Sequence, residues 1–90
     1  MAKLSDDEIA NRMAGVPGWT REGDGLRRIF TFPRFADAIA FVRSVAAHAE
    51  RLDHHPDILV EYTKVTLTST SHDAGGITAR DFALAAAIDA

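Results

Sequence analysis

Two predicted β-hairpins, separated by one long helix, constrain the fold of this chain more than any other feature. In the first hairpin, strands over Trp19–Arg21 and Leu26–Phe32 flank the glycine-rich turn Glu22-Gly23-Asp24-Gly25. The second hairpin joins strands over Asp57–Tyr62 and Lys64–Ser71 through a single residue. Two hairpins favour one four-stranded, mainly antiparallel sheet, because antiparallel neighbours need only short turns between them.

Helices are predicted before, between and after the hairpins. The first begins at Ser5, which forms a capping box with Glu8, three residues further on. The second runs from about Phe35 to about Leu52, and the third begins at Thr78 after a break at Gly75-Gly76. The order α-β-β-α-β-β-α predicts an α+β sandwich, with the helices packed on one face of the sheet.

The long helix carries a pattern that predicts which of its sides faces the sheet. Apolar residues recur along it at three- and four-residue spacing, which is typical of a helix with one buried stripe. Alanines dominate its second half, so it can pack closely on a sheet. The predicted stripe consists of Phe35, Ile39, Val42, Ala46 and Ala49.

Length and composition predict one domain over residues 1–90, because no linker or low-complexity run divides the chain. A hydrophobic share of 47% is enough for a core. A domain this short nevertheless buries only about 60–65% of its unfolded surface. Stabilisation by self-association is therefore expected, because the unpaired strand at each sheet edge can be covered by another copy of the chain.

Charge and composition exclude several classes of function. The formal net charge is −3, and the Arg27-Arg28 pair is too small to predict a nucleic-acid site. The chain has no cysteine, which excludes disulfides and thiol catalysis. No apolar run approaches the ~20 residues of a membrane span, and the acidic start lacks the pattern of a signal peptide. The expected location is therefore the cytoplasm.

The histidines predict proton-transfer chemistry. His54 and His55 are adjacent after the long helix, and Pro56 favours an extended backbone at His55. If the second hairpin turns on Thr63, the end of its last strand lies beside the start of the other, which places His72 near His54. Imidazole is the only side chain whose ordinary pKa lies near neutrality, so three of them at one sheet edge can exchange protons with a substrate.

Two acidic residues are placed to support these imidazoles. Glu50 lies about one helical turn before His54, so it faces the same pocket if the helix continues that far. Asp81 lies three residues after Thr78, where a second capping box is predicted. Asp81 can thus act as a helix cap, as a carboxylate that orients an imidazole, or as both.

These residues also allow other interpretations. A histidine pair before a proline is, taken alone, most simply a surface turn. Three histidines and Glu50 could supply a tetrahedral zinc shell, but the HxxxH and HExxH spacings are absent and adjacent histidines rarely share one ion. Ser69 and Ser71 could be nucleophiles, but they lie in a regular strand without the glycines of a nucleophile elbow. We therefore favour acid–base chemistry without a metal.

Taken together, these residues resemble the signature of the pterin-4a-carbinolamine dehydratase family. The family's pattern is an acid, three residues, His-His-Pro, five residues, an aromatic, nine residues, His, then eight or more residues and Asp, and every interval is met here. The resemblance extends over nearly the whole chain. One departure is Ile58, where many members carry tryptophan. The matching residues are Glu50, His54-His55-Pro56, Tyr62, His72 and Asp81.

The resemblance implies a hydro-lyase reaction. A 4a-hydroxytetrahydropterin, left by an aromatic amino acid hydroxylase, loses water to give the quinonoid dihydropterin, and the pterin is thereby recycled. The elimination needs one proton delivered to the departing 4a-hydroxyl and one removed from ring N5. No metal and no cofactor are implied, since the pterin is the substrate.

The resemblance also implies a role for each residue of the motif. His54 and His55 are expected to be the principal acid–base pair, and His72 completes the pocket and assists at the 4a-hydroxyl. Glu50 and Asp81 are expected to orient and charge-stabilise the imidazoles. Backbone groups of the two segments are expected to bind the amide edge of the pterin. The predicted substrate-binding residues are His54, His55, Pro56, Ser71, His72 and Asp73.

A second hypothesis belongs to another class of function. Some relatives act as dimerisation cofactors of a homeodomain transcription activator, through a helical surface rather than through the pocket. A non-enzymatic protein-binding module is therefore the alternative to a dehydratase. Members of the family assemble as dimers or as tetramers built from dimers, so a homodimer or a homotetramer is expected here.

Overall fold

The computed structural model describes residues 2–90, so Met1, the first residue of the predicted domain, lies outside the described residues. Residues 2–90 form three α-helices, four β-strands and one short 3₁₀ helix, His72–Ala74, which we call the His72 turn. The predicted α+β class and the order α-β-β-α-β-β-α are confirmed. The elements are α1 (Asp6–Met13), β1 (Thr20–Glu22), β2 (Gly25–Thr31), α2 (Phe35–Leu52), β3 (Asp57–Glu61), β4 (Lys64–Ser69) and α3 (Ala79–Asp89).

The four strands form one sheet in the order β1-β2-β4-β3, and every neighbouring pair is antiparallel. The two hairpins thus meet through β2 and β4 at the centre, while β1 and β3 form the edges. β2 runs beside β4 from the Leu26–Ser69 pair to the Thr31–Lys64 pair. The central place of β4 matters for the site, because its end leads into the His72 turn.

The helices cover one face of this sheet, as predicted, and the core lies between them and the central strands. β2 and β4 send Leu26, Val65 and Leu67 into the core, where each is fully buried. α3 contributes Leu84 and Ala85. Full burial of one leucine contributes about 1.5–3 kcal/mol relative to exposure, so these residues hold the helices against the sheet.

The bounds predicted for the long helix agree with α2, but the predicted buried stripe is partly wrong. The side that faces the sheet runs through Ala38, Val45 and Ala49, whereas Phe35 is 50% exposed. Small alanines face the sheet because they let the helix approach it closely, and the large Phe35 and Ile39 are left at the rim. Of the predicted residues, Ala49 is buried and Val42 half-buried, while Phe35, Ile39 and Ala46 are exposed.

The turn of the second hairpin also differs from the prediction. Asp57 pairs with Thr68 rather than with Ser69, because the turn comprises Tyr62 and Thr63 instead of Thr63 alone. Tyr62 has a left-handed φ of 53°, which two-residue hairpin turns need at their first position. Each residue of β3 therefore lies opposite a β4 residue one position earlier than predicted. A shift of one residue exchanges the two faces of a strand.

α3 is held at both of its ends. At its start, Thr78 and Asp81 form the predicted capping box, and the capping box predicted for α1 is confirmed as well. At its end, Asp89 accepts hydrogen bonds from Trp19 Nε1 (3.0 Å) and from Arg28 Nη1 (2.8 Å). The first turn of α3, which carries Asp81, is therefore fixed relative to the sheet.

Within the part of the chain that the structure describes, we find no helix with both the length and the apolar character needed to cross a membrane. The longest helix, α2, has 18 residues and carries charged side chains, among them Arg43 and Glu50. The cytoplasmic location stays a prediction.

Replacement of Leu67 by alanine tests the importance of the central strands. Leu67→Ala is expected to lower the free energy of unfolding by about 2–5 kcal/mol, because it empties a fully buried position. The control Ile29→Ala, at a position that is 48% exposed, is expected to cost less than about 1 kcal/mol. Urea unfolding followed by the fluorescence of Trp19 measures both, and equal losses would contradict the assigned core.

Candidate active site

The buried carboxylate of Asp81 is the centre of the site. It lies in the first turn of α3, is fully buried, and accepts four hydrogen bonds. Oδ1 accepts from His54 Nε2 (2.6 Å) and from Ser69 Oγ (2.6 Å). Oδ2 accepts from Ser71 Oγ (2.8 Å) and from the backbone N–H of Thr78 (2.9 Å). A buried charge is tolerated only when it is well bonded, and these donors meet that requirement.

The same donors lower the pKa of Asp81. Burial raises the pKa of this carboxyl, but hydrogen bonds, first from Ser69 and His54, outweigh burial, and the pKa lies below its ordinary value of 3.8. The carboxyl is therefore ionised near neutral pH. Since a carboxylate only accepts hydrogen bonds, the proton of the shared contact lies on Nε2 of His54.

The end of α2 turns His54 inward. The helix ends just before Asp53, which adopts a left-handed φ of 50°. The backbone N–H of His54 then donates to the carbonyl of Ala49 (3.0 Å), which closes the helix in the manner of a Schellman motif. His54 is consequently buried, with 7% of its surface exposed, and it is the histidine that Asp81 binds.

Glu50 and His55 form a second, exposed pair. Glu50 Oε1 lies 3.6 Å from His55 Nε2, and more than half of each side chain is exposed. The sequence predicts that Glu50 faces the pocket of His54 if the helix continues that far. The helix ends earlier, at Leu52, so Glu50 lies beside His55 instead.

The His72 turn carries the third predicted histidine. Backbone hydrogen bonds of 3.1 and 3.3 Å join Ser71 to Gly76 across the turn, and Gly75 closes it with a left-handed φ of 77°. His72 is exposed and lines an open cavity of about 400 Å³ on the sheet face opposite the helices. The other residues of this cavity are Asp24, Gly25, Thr68, Thr70, Gly75 and Gly76.

The hairpin register decides which residue lies beside His54. The predicted register assigns that place to His72. In the structure Ser71 shares the carboxylate of Asp81 with His54, whereas His72 lies with the threonines on the opposite face. The one-residue shift explains the difference, because it exchanges the faces of β3 relative to β4 and so turns the His54 segment toward Ser71. The face on which His72 lies follows from alternation along β4 and does not depend on this shift. Ser71 is therefore the direct neighbour of His54.

Some of the predicted binding groups are already engaged within the protein. Asp73 Oδ1 accepts a hydrogen bond from Arg80 Nη2 at 2.6 Å, and this contact lowers the pKa of Asp73. The backbone N–H groups of His54 and Ser71 donate to neighbouring carbonyls. The substrate-binding roles of His54, Ser71 and Asp73 stay predictions. If these residues bind the substrate, they do so with atoms other than the engaged ones.

The predicted site residues form two imidazole–carboxylate pairs and one imidazole in a cavity. Between residues 2 and 90, no group of three or more His, Cys, Asp or Glu side chains is arranged to hold a metal ion. His54 is bonded to Asp81, and His55 lies beside Glu50. The arrangement can hold one proton at a fixed place and can exchange others with molecules that reach the surface.

Three side chains that complete the site were not predicted as part of it. Ser69 donates to the central carboxylate, and the hydroxyl groups of Thr78 and Ser71 are hydrogen-bonded at 2.8 Å. Arg80 binds Asp73. Ser69 and Ser71 lie on the same face as Val65 and Leu67, the face turned toward the helices. Buried hydroxyl groups need hydrogen-bond partners, so the alternation along β4 could have predicted a buried acceptor near them. Arg80 has no comparable signal in the sequence.

The fold and the site define an α+β protein with histidine–carboxylate pairs at one end of its sheet. A family profile described as "Pterin 4 alpha carbinolamine dehydratase" matches residues 2–90. A protein of Mycobacteroides abscessus, provisionally named pterin-4-alpha-carbinolamine dehydratase, is 55% identical over 89 residues, which cover 99% of this chain and 95% of that protein. A protein of Roseiflexus sp. with the same provisional name is 53% identical, covering 97% and 94%. The chain belongs to the pterin-4-alpha-carbinolamine dehydratase family.

Two solved structures have a similar fold. A "transcriptional coactivator/pterin dehydratase" from Brucella melitensis superposes with a TM-score of 0.91 at 29% identity, covering 97% of this chain and 95% of that one. A "pterin dehydratase-like protein", described as a RuBisCO assembly factor in the alpha-carboxysome, superposes with a TM-score of 0.63 at 28% identity, covering 79% and 82%. The first comparison confirms the predicted fold.

Replacement of Asp81 by asparagine tests the central carboxylate. Asp81→Asn keeps the size of the side chain but removes its charge and turns one acceptor into a donor. We expect the free energy of unfolding to fall by about 1–3 kcal/mol at neutral pH, because buried donors lose a charged acceptor. Urea unfolding measures the change, and stability equal to that of the wild type would contradict the central place of this carboxylate.

The pH dependence of the same variant separates charge from packing. Because folding lowers the pKa of Asp81, its stabilising contribution is present well above the ordinary value of 3.8 and is lost as the pH falls through the folded-state pKa. The stability gap between wild type and Asp81→Asn should therefore shrink between about pH 5 and pH 2. Unfolding measured over this range would show a constant gap if the charge were unimportant.

Proposed function

We propose that the protein catalyses the dehydration of a 4a-hydroxytetrahydropterin to the quinonoid dihydropterin and water, with histidines as acid and base. The observation that supports this most is the buried His54–Asp81 pair, accompanied by the exposed His55 and His72, in a chain of the dehydratase family. A fixed imidazole beside imidazoles that reach solvent suits a site that moves protons. The reaction would recycle the pterin cofactor of aromatic amino acid hydroxylases.

The proposed dehydration moves two protons. The C4a–O bond breaks as the hydroxyl takes up a proton and leaves as water. Ring N5 gives up its proton as the double bond between C4a and N5 forms. Acid–base groups placed at these atoms typically contribute about 10²–10⁴-fold each. The substrate exchanges no electrons with another molecule, so the reaction as written balances without an oxidant or reductant.

His54 and His55 are proposed as the principal acid–base pair. Because Asp81 engages Nε2 of His54, the other ring nitrogen, Nδ1, is the atom proposed to exchange a proton with the substrate. His55 is exposed beside Glu50, which supports a role for His55 at the bound pterin and for Glu50 in orienting it. His72 is proposed to assist from the cavity, at the 4a-hydroxyl.

The pterin is proposed to bind between the His54-His55-Pro56 segment and the His72 turn. The cavity that His72 lines has a volume of about 400 Å³, within the range of small-molecule sites, and it supports the part of this proposal that concerns the His72 turn. Backbone groups near Pro56, Ser71 and Asp73 are proposed to bind the amide edge of the ring. The ring then has an imidazole available on more than one side.

We propose that the reaction needs neither a metal ion nor a cofactor, the pterin being the substrate. The proposed proton transfers need only the imidazoles, two of which lie beside carboxylates that can orient them. An imidazole held by a carboxylate is oriented for proton transfer.

Substitution of the exposed histidines tests the proposed catalysis. His55→Ala and His72→Ala are each expected to lower the catalysed rate by at least about tenfold, because each removes a proton-transfer group. Stopped-flow absorbance with freshly generated 4a-carbinolamine measures the rate against the spontaneous dehydration. The assay is run in EDTA, so that catalysis by the wild type also tests independence from a metal.

His48→Ala is the matched control for these variants. His48 lies on α2 with its Nδ1 3.1 Å from Arg51 Nη2, and it is not one of the residues of the predicted motif. It should keep the wild-type rate, and circular dichroism should show that all three variants are folded. Wild-type rates in both His55→Ala and His72→Ala would contradict the proposed catalysis.

A protein-binding role is the second candidate function. The descriptions of the two similar structures favour it, since they name a transcriptional coactivator and an assembly factor. A second observation is the stacked pair of Phe35 and Tyr62, with ring centroids 6.4 Å apart and Tyr62 74% exposed. The stopped-flow assay separates the two functions, because a binding module without catalysis leaves the spontaneous rate unchanged.

Self-association through the free edge of β3 is also proposed, giving a homodimer or a homotetramer. β3 pairs with β4 on one side, and Ile58 and Leu59 are exposed on it. Proteins cover or charge such edges, and a second copy of the chain is a simple cover.

A charge on β3 tests this association. Leu59→Lys is expected to raise the dissociation constant of the oligomer by at least about tenfold, because an unpaired charge would be buried at the contact. Thr31→Lys adds the same charge on β2, away from that edge, and should leave the assembly unchanged. Sedimentation velocity measures both, and a wild type that is monomeric at high concentration would contradict the proposal.

A further inference from the structure

Arg80 joins the His72 turn to the start of α3. Its Nη2 donates to Oδ1 of Asp73 at 2.6 Å, and Asp73 directly follows His72 in the chain. The backbone N–H of Arg80 donates to the hydroxyl of Thr78 (3.2 Å), which caps α3. One residue therefore binds the turn with its side chain and the helix cap with its backbone.

The guanidinium also lies within electrostatic range of the segment that carries His54. The hydrogen bond to Asp73 is the first cause that raises the pKa of Arg80, and the charges of Asp81 and Asp53 add to it. Asp81 holds His54, and Asp53 directly precedes it. The carboxylate that follows His72 therefore binds this guanidinium directly, whereas the carboxylate that precedes His54 acts on it only through its charge.

The side chain of Arg80 is partly buried. Its side chain is 30% exposed, and its Nε is buried without a hydrogen-bond partner among residues 2–90. A buried donor without an acceptor lowers stability. The guanidinium therefore binds Asp73 through Nη2 in a position that leaves the Nε donor without an acceptor.

The His72 turn has few constraints of its own. It is one turn long, with internal backbone hydrogen bonds of 3.0 and 3.2 Å and the two Ser71–Gly76 bonds of 3.1 and 3.3 Å at its base, and all four join residues that are close in sequence. Short exposed segments with only local hydrogen bonds open readily. The Asp73–Arg80 ion pair ties this turn to a helix that is itself fixed by the central carboxylate.

We propose that Arg80 is a positioning residue, which holds His72 at its working distance from His54 through the ion pair with Asp73. This inference rests on the proposed dehydratase function, in which both histidines serve one substrate. It requires no contact between Arg80 and the pterin. Proton transfer needs donor and acceptor within about 2.6–3.2 Å, so loss of the guanidinium slows the chemistry more than it weakens binding, because the segment around Pro56 is proposed to hold the pterin as well.

Arg80→Met tests this role, with Arg34→Met as the matched control. Arg34 forms an exposed ion pair with Asp37 at 3.4 Å, at the start of α2. We expect Arg80→Met to lower kcat about tenfold and to change KM less than about twofold, since a small misplacement of a catalytic group can cost up to ~10²-fold. Arg34→Met should keep both constants. Arg80→Lys should recover part of the loss, because it restores the charge without the planar fork.

Amide hydrogen exchange gives a second readout that does not depend on activity. In Arg80→Met, the amides of Ala74 and Gly75 should exchange at least about tenfold faster than in the wild type, because the turn opens more often. Arg34→Met should leave them unchanged. Asp73→Asn weakens the same ion pair from its other end. The amides of Ala74 and Gly75 should therefore also exchange faster in this variant, which replaces Arg80→Met if that variant folds poorly.

Two results would overturn the inference. One is equal kinetics of Arg80→Met and Arg34→Met when the wild type is active. The other is unchanged exchange of Ala74 and Gly75 in both Arg80→Met and Asp73→Asn. Failure of the proposed function is distinguishable, because the wild type would then leave the spontaneous dehydration rate unchanged. The exchange measurement would still decide whether Arg80 holds the turn.

Discussion

The buried carboxylate of Asp81 is the interaction on which the rest of the structure depends. Its hydrogen bonds join three elements: the end of α2, the end of β4 and the start of α3. A buried ionised carboxylate must be hydrogen-bonded. Displacement of any one of these elements therefore leaves the charge of Asp81 with too few hydrogen bonds. The stability of the fold and the placement of the His54 imidazole therefore depend on the same contacts.

The two roles that the sequence allows for Asp81 are compatible because a carboxylate has two oxygens. Oδ2 caps α3 by accepting from the backbone N–H of Thr78, and Oδ1 binds His54. The N-terminus of a helix favours negative charge, which supports the ionised state. An ionised carboxylate in turn keeps a proton on Nε2 of His54. The start of α3 thus stabilises the ionised carboxylate of Asp81, and this carboxylate orients His54.

Local signals predicted the fold more completely than the site. The bounds of α2 and both capping boxes follow from residues that are neighbours in the sequence. The buried stripe of α2 was predicted wrongly because Phe35 and Ile39 are apolar at the rim, and only docking on the sheet decides which apolar side is covered. The contacts of Ser69 and Arg80 were missed because they form only after β4, the His72 turn and α3 have come together.

The register of the second hairpin shows why a site is harder to predict than a fold. A turn at Tyr62 and Thr63, instead of Thr63 alone, changes neither the class nor the strand order. It does, however, exchange the faces of β3 relative to β4, so that His54, in the segment before β3, lies on the side of Ser71 rather than on that of His72. A substrate that meets both His54 and His72 must then lie across the edge of the sheet rather than over one face. Such a position suits an elimination, because groups on two sides of the edge can serve the departing hydroxyl and ring N5 separately.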